Sequence, residues 1–243
     1  MKFGLVVAAA ALLAGAVASI VGFGIGSLLT PLFAVRMGTQ LAVAAVSIPH
    51  LFATALRFWR LRSHVDRRVL VSFGATSAAG GLTGALLHSY ATNRALSIAF
   101  GVLLLFVGVS ELSGFARRMR FHGPVAWIAG AASGLFGGLV GNQGGIRSAA
   151  LLGFDIDKQA FVATATAIGL IVDGARMPVY FATQLHALVG EWPLIVIAMA
   201  GTLIGTIGGV RVLGRIPQHV FRRIVAVILL ALGAYMPFVG GAG

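Results

Sequence analysis

Two amide side chains and an arginine stand inside an apolar, glycine-rich run, and together they could bind an anion. The run is Gly137–Ser148, and it contains Asn142, Gln143 and Arg147. Glycine costs about 1 kcal/mol relative to alanine inside a helix, so the run predicts a helix that breaks near Asn142. Buried backbone N–H groups, amides and a cation at a helix start are typical of an anion site. The alternative is that the glycines only let helices pack closely.

Charged and titratable side chains also lie within predicted membrane spans, where a buried charge is expensive and usually functional. Asp173 and Arg176 are three residues apart, so they share a helix face and can form an ion pair. The pair either fixes helix packing, or Arg176 faces a ligand while Asp173 holds it in place. Arg57 is interpreted as an interfacial side chain that reaches the membrane surface, with ligand contact as the alternative. His50 is interpreted as a hydrogen-bonded packing histidine, with proton coupling as the alternative.

The composition indicates that the helices carrying these residues lie in a membrane. Of 243 residues, 58% are hydrophobic and 10% are charged. The apolar runs are long and continuous, which predicts an all-α polytopic membrane protein and not a barrel. The net charge of +12 is interpreted as loop arginines that set topology, so no nucleic-acid partner is expected.

The sequence offers no pattern for catalysis or for a cofactor. The chain has no cysteine, which excludes disulfides and thiol chemistry. The histidines have no metal-ligand spacing, and no nucleophile–base pair or nucleotide-binding motif stands out. We therefore expect no enzyme activity, no cofactor and no bound metal.

An internal repeat divides the chain into two halves within a single transmembrane domain, 1–243. Residues 15–57 align with residues 134–176 at an offset of 119, and a later block aligns at an offset of 125. The second half is therefore longer, which we place around residues 183–191. Repeat 1 covers about 1–120 and repeat 2 about 121–243. Because residues 1–18 recur in the second half, we expect them to belong to the fold, although they resemble a signal peptide.

Each half is predicted to hold a glycine-broken helical hairpin followed by three transmembrane helices. The broken stretches are Phe3–Val35 and Pro124–Phe154. The six clearer spans are placed near 41–56, 69–88, 95–112, 160–181, 192–213 and 220–237.

The placement of the cations arbitrates the topology. If each broken stretch returns to its own side, fourteen cations fall on one side of the membrane and three on the other, with Arg176 near or within it. The fourteen are Arg57, Arg60, Arg62, Arg67, Arg68, Arg117, Arg118, Arg120, Arg147, Lys158, Arg211, Arg215, Arg222 and Arg223. If each stretch crosses once, the cations divide nine to eight. The positive-inside rule prefers the first arrangement. It predicts two inverted repeats with both termini outside the cell.

The glycine motifs resemble those of a known transporter family. Gly-x-Gly-x-Gly followed by apolar residues and a proline occurs as 22–31, and the pattern recurs at 141–145. The duplicated, glycine-rich layout resembles the TauE/SafE sulfite-exporter family over nearly the whole chain. The sequence departs from the family pattern in two places. Ile25 stands where the family often has glycine, and in the second half Asn142, Gln143 and Arg147 enter while Ala150 takes the usual proline position.

The resemblance implies a secondary transporter of small sulfur-containing anions, such as sulfite or the sulfonate sulfoacetate. Access would alternate as one half rocks against the other, with the anion at the midplane between the broken helices. The expected substrate-binding residues are Gly24, Gly26, Ser27, Asn142, Gln143, Gly144, Gly145, Arg147, Ser148 and Arg176. His50, Arg57 and Asp173 are candidates for coupling or for an ion pair.

A small-anion channel and a membrane scaffold subunit are the alternatives to this reading. The expected partners are the anion and the lipid bilayer, with a possible homo-oligomer. The expected location is the bacterial inner membrane.

Overall fold

The fold was analysed in a computed structural model that describes residues 2–115, 124–151, 154, 156–213 and 218–239. Within these ranges the regular structure is helical throughout, which confirms the all-α prediction. The predicted cations Arg117, Arg118, Arg120 and Arg215 lie outside the described residues.

Both broken stretches and all six clearer spans are present as helices. The first half contains α1 (Lys2–Val21), α2 (Ile25–Leu61), a 3-10 turn (Arg62–His64), α3 (Arg67–Tyr90) and α4 (Asn93–Ser113). The second half contains α5 (Pro124–Val140), α6 (Gly144–Leu151), α7 (Lys158–Gly190), α8 (Trp192–Leu213) and α9 (Gln218–Val239). Within α3, the segment Leu70–Gly74 is a π-helix. By length and composition, α1, α2, α3, α4 and α7 could each cross a membrane, and α5, α8 and α9 contain shorter apolar helices.

Polar side chains begin several of these helices, because the first N–H groups of a helix need acceptors outside it. The side chain of Thr92 accepts from the Ala95 N–H at the start of α4. Asp157 accepts from two N–H groups at the start of α7, and Asp66 accepts from one at the start of α3.

The predicted helix breaks occur at glycines whose backbone is left-handed. Gly22 has a φ of 84° and Gly24 a φ of 134°, and they separate α1 from α2. Gly141, the repeat counterpart of Gly22, has a φ of 73° and separates α5 from α6. Residues with a side chain rarely adopt a positive φ, so glycine is required at these points. The break expected near Asn142 is therefore confirmed.

The first broken stretch folds back on itself as a hairpin. Arg36, near the end of the first segment of α2, lies 5.6 Å from the centre of the Phe3 ring at the start of α1. A second break follows at Gly38, with a φ of 78°, and α2 then continues to Leu61. The side chain of Asn93 accepts from the Gln40 N–H at a distance of 2.8 Å, which satisfies a donor that this break frees.

Helices related by the repeat pack against each other in opposite directions. In α2 and α7, Ser47 contacts Met177 and His50 contacts Asp173, so residue numbers rise in one helix as they fall in the other. The pair α4 and α9 behaves alike, since Gly101 lies against Gly233 while Gly108 lies against Leu230 and Ala226. Antiparallel packing of related helices is the arrangement expected of inverted repeats. The orientation of the two halves across the membrane stays a prediction.

Glycine seams join helices from opposite halves. In α3 and α5, a Cβ added to Gly134 would lie 2.0 Å from the carbonyl oxygen of Ser77. In α1 and α8, a Cβ added to Gly205 would lie 2.0 Å from the carbonyl oxygen of Leu12. Small residues allow helix backbones to approach this closely in membranes. The packing interpretation of the glycines thus holds for the seams, whereas the glycines at the breaks have a different role.

The additional residues of the second half extend α7. Its repeat counterpart α2 ends at Leu61, which aligns with Tyr180, but α7 continues to Gly190. Glu191, which follows it, pairs with Arg36 at 3.4 Å at the same end of the molecule as the first hairpin's base.

Single cysteines should report the topology, because the chain has no native cysteine. Lys2→Cys and Tyr90→Cys should react with an impermeant maleimide from outside the cell, and Ser63→Cys only after permeabilisation. The cation distribution sets this orientation. Labelling of Lys2→Cys and Tyr90→Cys from opposite sides would contradict the hairpin.

A substitution in a glycine seam should destabilise the fold, while one at an open glycine should not. In Gly134→Ala the new methyl group meets the backbone of Ser77, so the two helices must move apart. This variant should lower the free energy of unfolding by about 1–3 kcal/mol. Gly174→Ala is the control, because a Cβ there meets nothing within 4 Å and alanine favours the helix. Equal thermal unfolding of the two variants in detergent would argue against the seam.

Candidate anion site

The two helix breaks lie against each other. A Cβ added to Gly26, in the first turn of α2, would lie 2.4 Å from the carbonyl oxygen of Gly141. A Cβ added to Gly144, at the start of α6, would lie 2.0 Å from the Cβ of Phe23, which is buried in the first break. These two glycines are therefore required for contact between the breaks. The starts of two half-helices meet here, and the N–H groups of a helix start favour negative charge.

Arg57 is buried beside the first break, and its interpretation as an interfacial side chain is wrong. The side chain is 7% exposed. Its Nη1 donates to the carbonyl of Ala18 in the last turn of α1, and its Nη2 donates to Thr54 Oγ1 at 3.2 Å. The Ala18 carbonyl also accepts from the Gly22 N–H at 3.0 Å, so the guanidinium adds a second, charged donor at the carbonyl end of the helix, where a cation is favourable.

Arg147 connects the two halves from within the protein. It is 3% exposed, and its Nη2 donates to the carbonyl of Gly22 at 3.3 Å. A Cβ added to Gly169 in α7 would lie 2.9 Å from its Nη1, so this glycine makes room for the guanidinium. Arg147 therefore does not anchor an end of the hairpin at the membrane surface. With Arg57 it must also be removed from the fourteen cations assigned to one side of the membrane.

The predicted ion pair of Asp173 and Arg176 is present and belongs to a larger network. The distance from Arg176 Nη2 to Asp173 Oδ1 is 2.8 Å, and both side chains are buried. The other carboxylate oxygen, Oδ2, lies 2.7 Å from His50 Nδ1 on α2. Arg176 Nη1 donates to the carbonyl of Gly137 at 2.8 Å, in the last turn of α5. His50 is thus hydrogen-bonded, as expected, and the network ties α2 and α7 to the second break.

Several donors near the breaks are buried without a partner among the described residues. On the arginines these are Arg57 Nε and Arg147 Nε and Nη1. The other unpartnered donors are Asn142 Nδ2 and Gln143 Nε2 at the second break and the hydroxyl of Ser27 in the first turn of α2. An unsatisfied buried donor costs about 1–3 kcal/mol, and more when it is charged. An anion bound among these groups would accept from them.

The structure divides the remaining predicted residues by their surroundings. Every side-chain nitrogen of Arg176 already has an acceptor, which favours the structural alternative for this residue. A Cβ added to Gly145 would lie 2.3 Å from Val107, and one added to Gly24 would lie 2.9 Å from Val17, so both glycines are tightly packed. Ser148 is half-buried. Contact of the substrate with any of these residues stays a prediction.

His88 is a buried residue whose role the sequence did not show. The predicted span 69–88 ends at this residue, and its ring is fully buried near the end of α3. Its Nδ1 lies 2.8 Å from the carbonyl oxygen of Leu139, just before the second break, and its Nε2 lies 3.2 Å from Gln184 Nε2. Tyr180 packs against the ring and donates its hydroxyl proton to the carbonyl of Gly138. The local sequence feature that could have indicated its burial is the apolar run that continues through His88.

The family model described as sulfite exporter TauE/SafE matches residues 7–236 of this chain. The match covers nearly the whole sequence, so the chain belongs to that family and is a multi-pass membrane protein of a transporter family. No curated protein and no solved structure matches the chain.

Removing one partner of the Asp173–Arg176 pair should destabilise the protein by about 3–5 kcal/mol, because the other charge stays buried without compensation. Asp173→Asn and Arg176→Gln should each lower the thermal unfolding midpoint and the yield of folded protein. Because Arg176 has no unpartnered nitrogen among the described residues, we expect the double variant, in which neither charge stays buried alone, to recover folding and anion binding together. A double variant that folds but does not bind the anion would instead make Arg176 an anion ligand, and two stable single variants would exclude a buried pair.

Proposed function

We propose that this member of the sulfite exporter TauE/SafE family is a secondary transporter that binds small sulfur oxyanions between its two helix breaks. The substrates would be sulfite and sulfonates such as sulfoacetate, and the setting would be the bacterial inner membrane. The family supplies the transporter class and the link to sulfite. The choice among sulfur oxyanions rests on the chemistry of the site.

The observation that carries the proposal is the excess of buried cations at the contact between the breaks. Arg57 and Arg147 each retain donor nitrogens without a partner among the described residues. Asn142 and Gln143 add amide donors, and the first turns of α2 and α6 add backbone N–H groups. The oxygens of a sulfite or sulfonate group can accept from several such donors at once, and hydrogen bonds to a charged acceptor are the stronger ones.

Alternating access requires that the site open to each side in turn. The site lies between elements of both halves, since Arg147 of the second half bonds to Gly22 of the first. The antiparallel packing of repeat-related helices supports two exchangeable states, in which the halves swap roles. A small-anion channel could use the same donors but would not concentrate its substrate.

We also propose His50 as the group that couples transport to protons. Its Nδ1 lies 2.7 Å from Asp173, and Asp173 is bonded to Arg176, which reaches the second break. A proton on His50 would strengthen its pairing with Asp173 and so change the charge around the site. The network supports a link between protonation and the position of the break.

Flux in proteoliposomes tests the function and the site together. With an imposed pH gradient, the wild type should accumulate sulfite or sulfoacetate above equilibrium, which a channel cannot do. Gln143→Ala removes an amide donor worth about 1.5–3 kcal/mol toward a charged group, so it should weaken binding about ten- to a hundredfold.

Gln159→Ala is the matched control, because Gln159 is exposed at the start of α7. It should leave affinity unchanged. If Gln143→Ala folds and binds with wild-type affinity, the anion does not sit at the breaks. If the wild type carries substrate only down its gradient, the channel reading replaces the transporter.

A further inference from the structure

The buried charges of the site do not balance. Among the described residues, the buried ionisable side chains of fixed charge include Arg57, Arg147 and Arg176, against the single carboxylate Asp173. With His50 neutral, the cations exceed the anions by two, and a protonated His50 would widen the difference. Asp173 is bound to Arg176, so the excess lies on Arg57 and Arg147.

These two arginines lie close to each other. Arg57 donates to the carbonyl of Ala18, and Arg147 donates to that of Gly22, four residues further along the same helix end. One helical turn rises about 5.4 Å, so the guanidinium groups bind successive turns of one helix terminus. Each guanidinium lies close enough to repel the other. The carbonyls supply only partial negative charge, so among the described residues two full positive charges are left uncompensated.

The repeat shows where a second carboxylate is missing. Asp173 aligns with Thr54, and Arg176 aligns with Arg57, so each half has an arginine with a polar residue three positions before it. In the second half the arginine binds a carboxylate, whereas in the first half it binds the hydroxyl of Thr54. The second half therefore shows that a carboxylate fits at this position, where the first half has Thr54.

We propose that the site selects anions with two negative charges over anions with one. The inference rests on the proposed function, because it names the charge class of the anion that the same site takes. A divalent anion neutralises both uncompensated guanidinium groups, while a monovalent anion leaves one of them buried without a counter-charge. A zwitterionic sulfonate would in addition bring its own cation against them.

Matched sulfonates separate charge from shape. Sulfoacetate carries two charges, isethionate one and taurine none in net, and all three are two-carbon sulfonates. Thiosulfate and methanesulfonate form a second pair, in which a charged sulfur replaces a methyl group on the same SO₃ head. Measured by calorimetry on the purified protein at mildly alkaline pH, each dianion should bind at least tenfold more tightly than its monovalent partner, and taurine most weakly.

A variant copied from the other half tests the cause. Thr54→Asp places a carboxylate beside Arg57, as Asp173 stands beside Arg176, and should reduce the preference for dianions at least tenfold. Thr54→Asn is the control, because it has the same shape without the charge. It should keep the dianion preference even if it lowers the affinity for every anion. The melting temperature of both variants shows whether they fold.

The outcomes distinguish this inference from the function on which it depends. If the wild type binds no sulfonate or thiosulfate, the proposed function fails. If it binds the members of each pair equally, the function stands and the charge selectivity is wrong. The selectivity argument is also wrong if folded Thr54→Asp and Thr54→Asn change the preference to the same extent.

Discussion

A buried guanidinium at the carbonyl end of each broken helix is the interaction on which the rest of this structure depends. Arg57 donates to Ala18, and Arg176 donates to Gly137. Each acceptor stands four residues before the left-handed glycine of its break, Gly22 or Gly141. The two bonds are counterparts under the repeat. Each requires a second long helix, α2 or α7, to carry its arginine to the break, and these helices pack antiparallel at the centre of the fold. The breaks, the buried arginines and the central helix pair therefore belong together, because each central helix adds a charged donor to a carbonyl that also accepts from the glycine N–H of its break.

The two halves match at their glycine breaks and at Arg57 and Arg176, but they differ in other buried polar side chains. Asp173 aligns with Thr54, His50 with Gly169, and Arg147 with Leu28. The contacts show why these differences belong together. Gly169 lacks the side chain of its counterpart His50, and the space it leaves is occupied by the guanidinium of Arg147. At these three aligned positions the two halves therefore carry different titratable and charged side chains, and the buried charge around the breaks is unequal.

The breaks and spans could be predicted from the sequence because they depend on local properties. Clusters of glycine weaken a helix whatever surrounds it, and runs of apolar residues identify spans by length. The ion pair of Asp173 and Arg176 could be predicted because i,i+3 spacing fixes its geometry. The burial of Arg57 and Arg147 could not be predicted, because the carbonyls to which they donate lie on other helices and an arginine near a span end is also common at the membrane surface. The roles of His88 and of the seam glycines likewise depend on neighbours from the other half. The repeat was the one signal that reached beyond local pattern, since it aligned Arg57 with Arg176.

The glycine seams constrain how such a protein could move. The closest backbone contacts of the hairpin helices are with the opposite half: α1 with α8, and α5 with α3. A Cβ added to Gly205 or Gly134 would lie 2.0 Å from a carbonyl oxygen of the facing helix. The two backbones are therefore in direct contact, with no side chains between them. Packed surfaces of this kind slide or separate only by losing many short contacts at once.

If one sequence half rocked against the other, both seams would have to open. A motion that keeps the seams intact would instead move α1 together with α8, and α5 together with α3. The contact between the breaks, where the two mixed units meet, is then a surface that changes. It is also the surface at which Arg147 of one half binds Gly22 of the other. An anion that competes with this carbonyl for Arg147 would therefore act on a junction that such a motion has to rearrange.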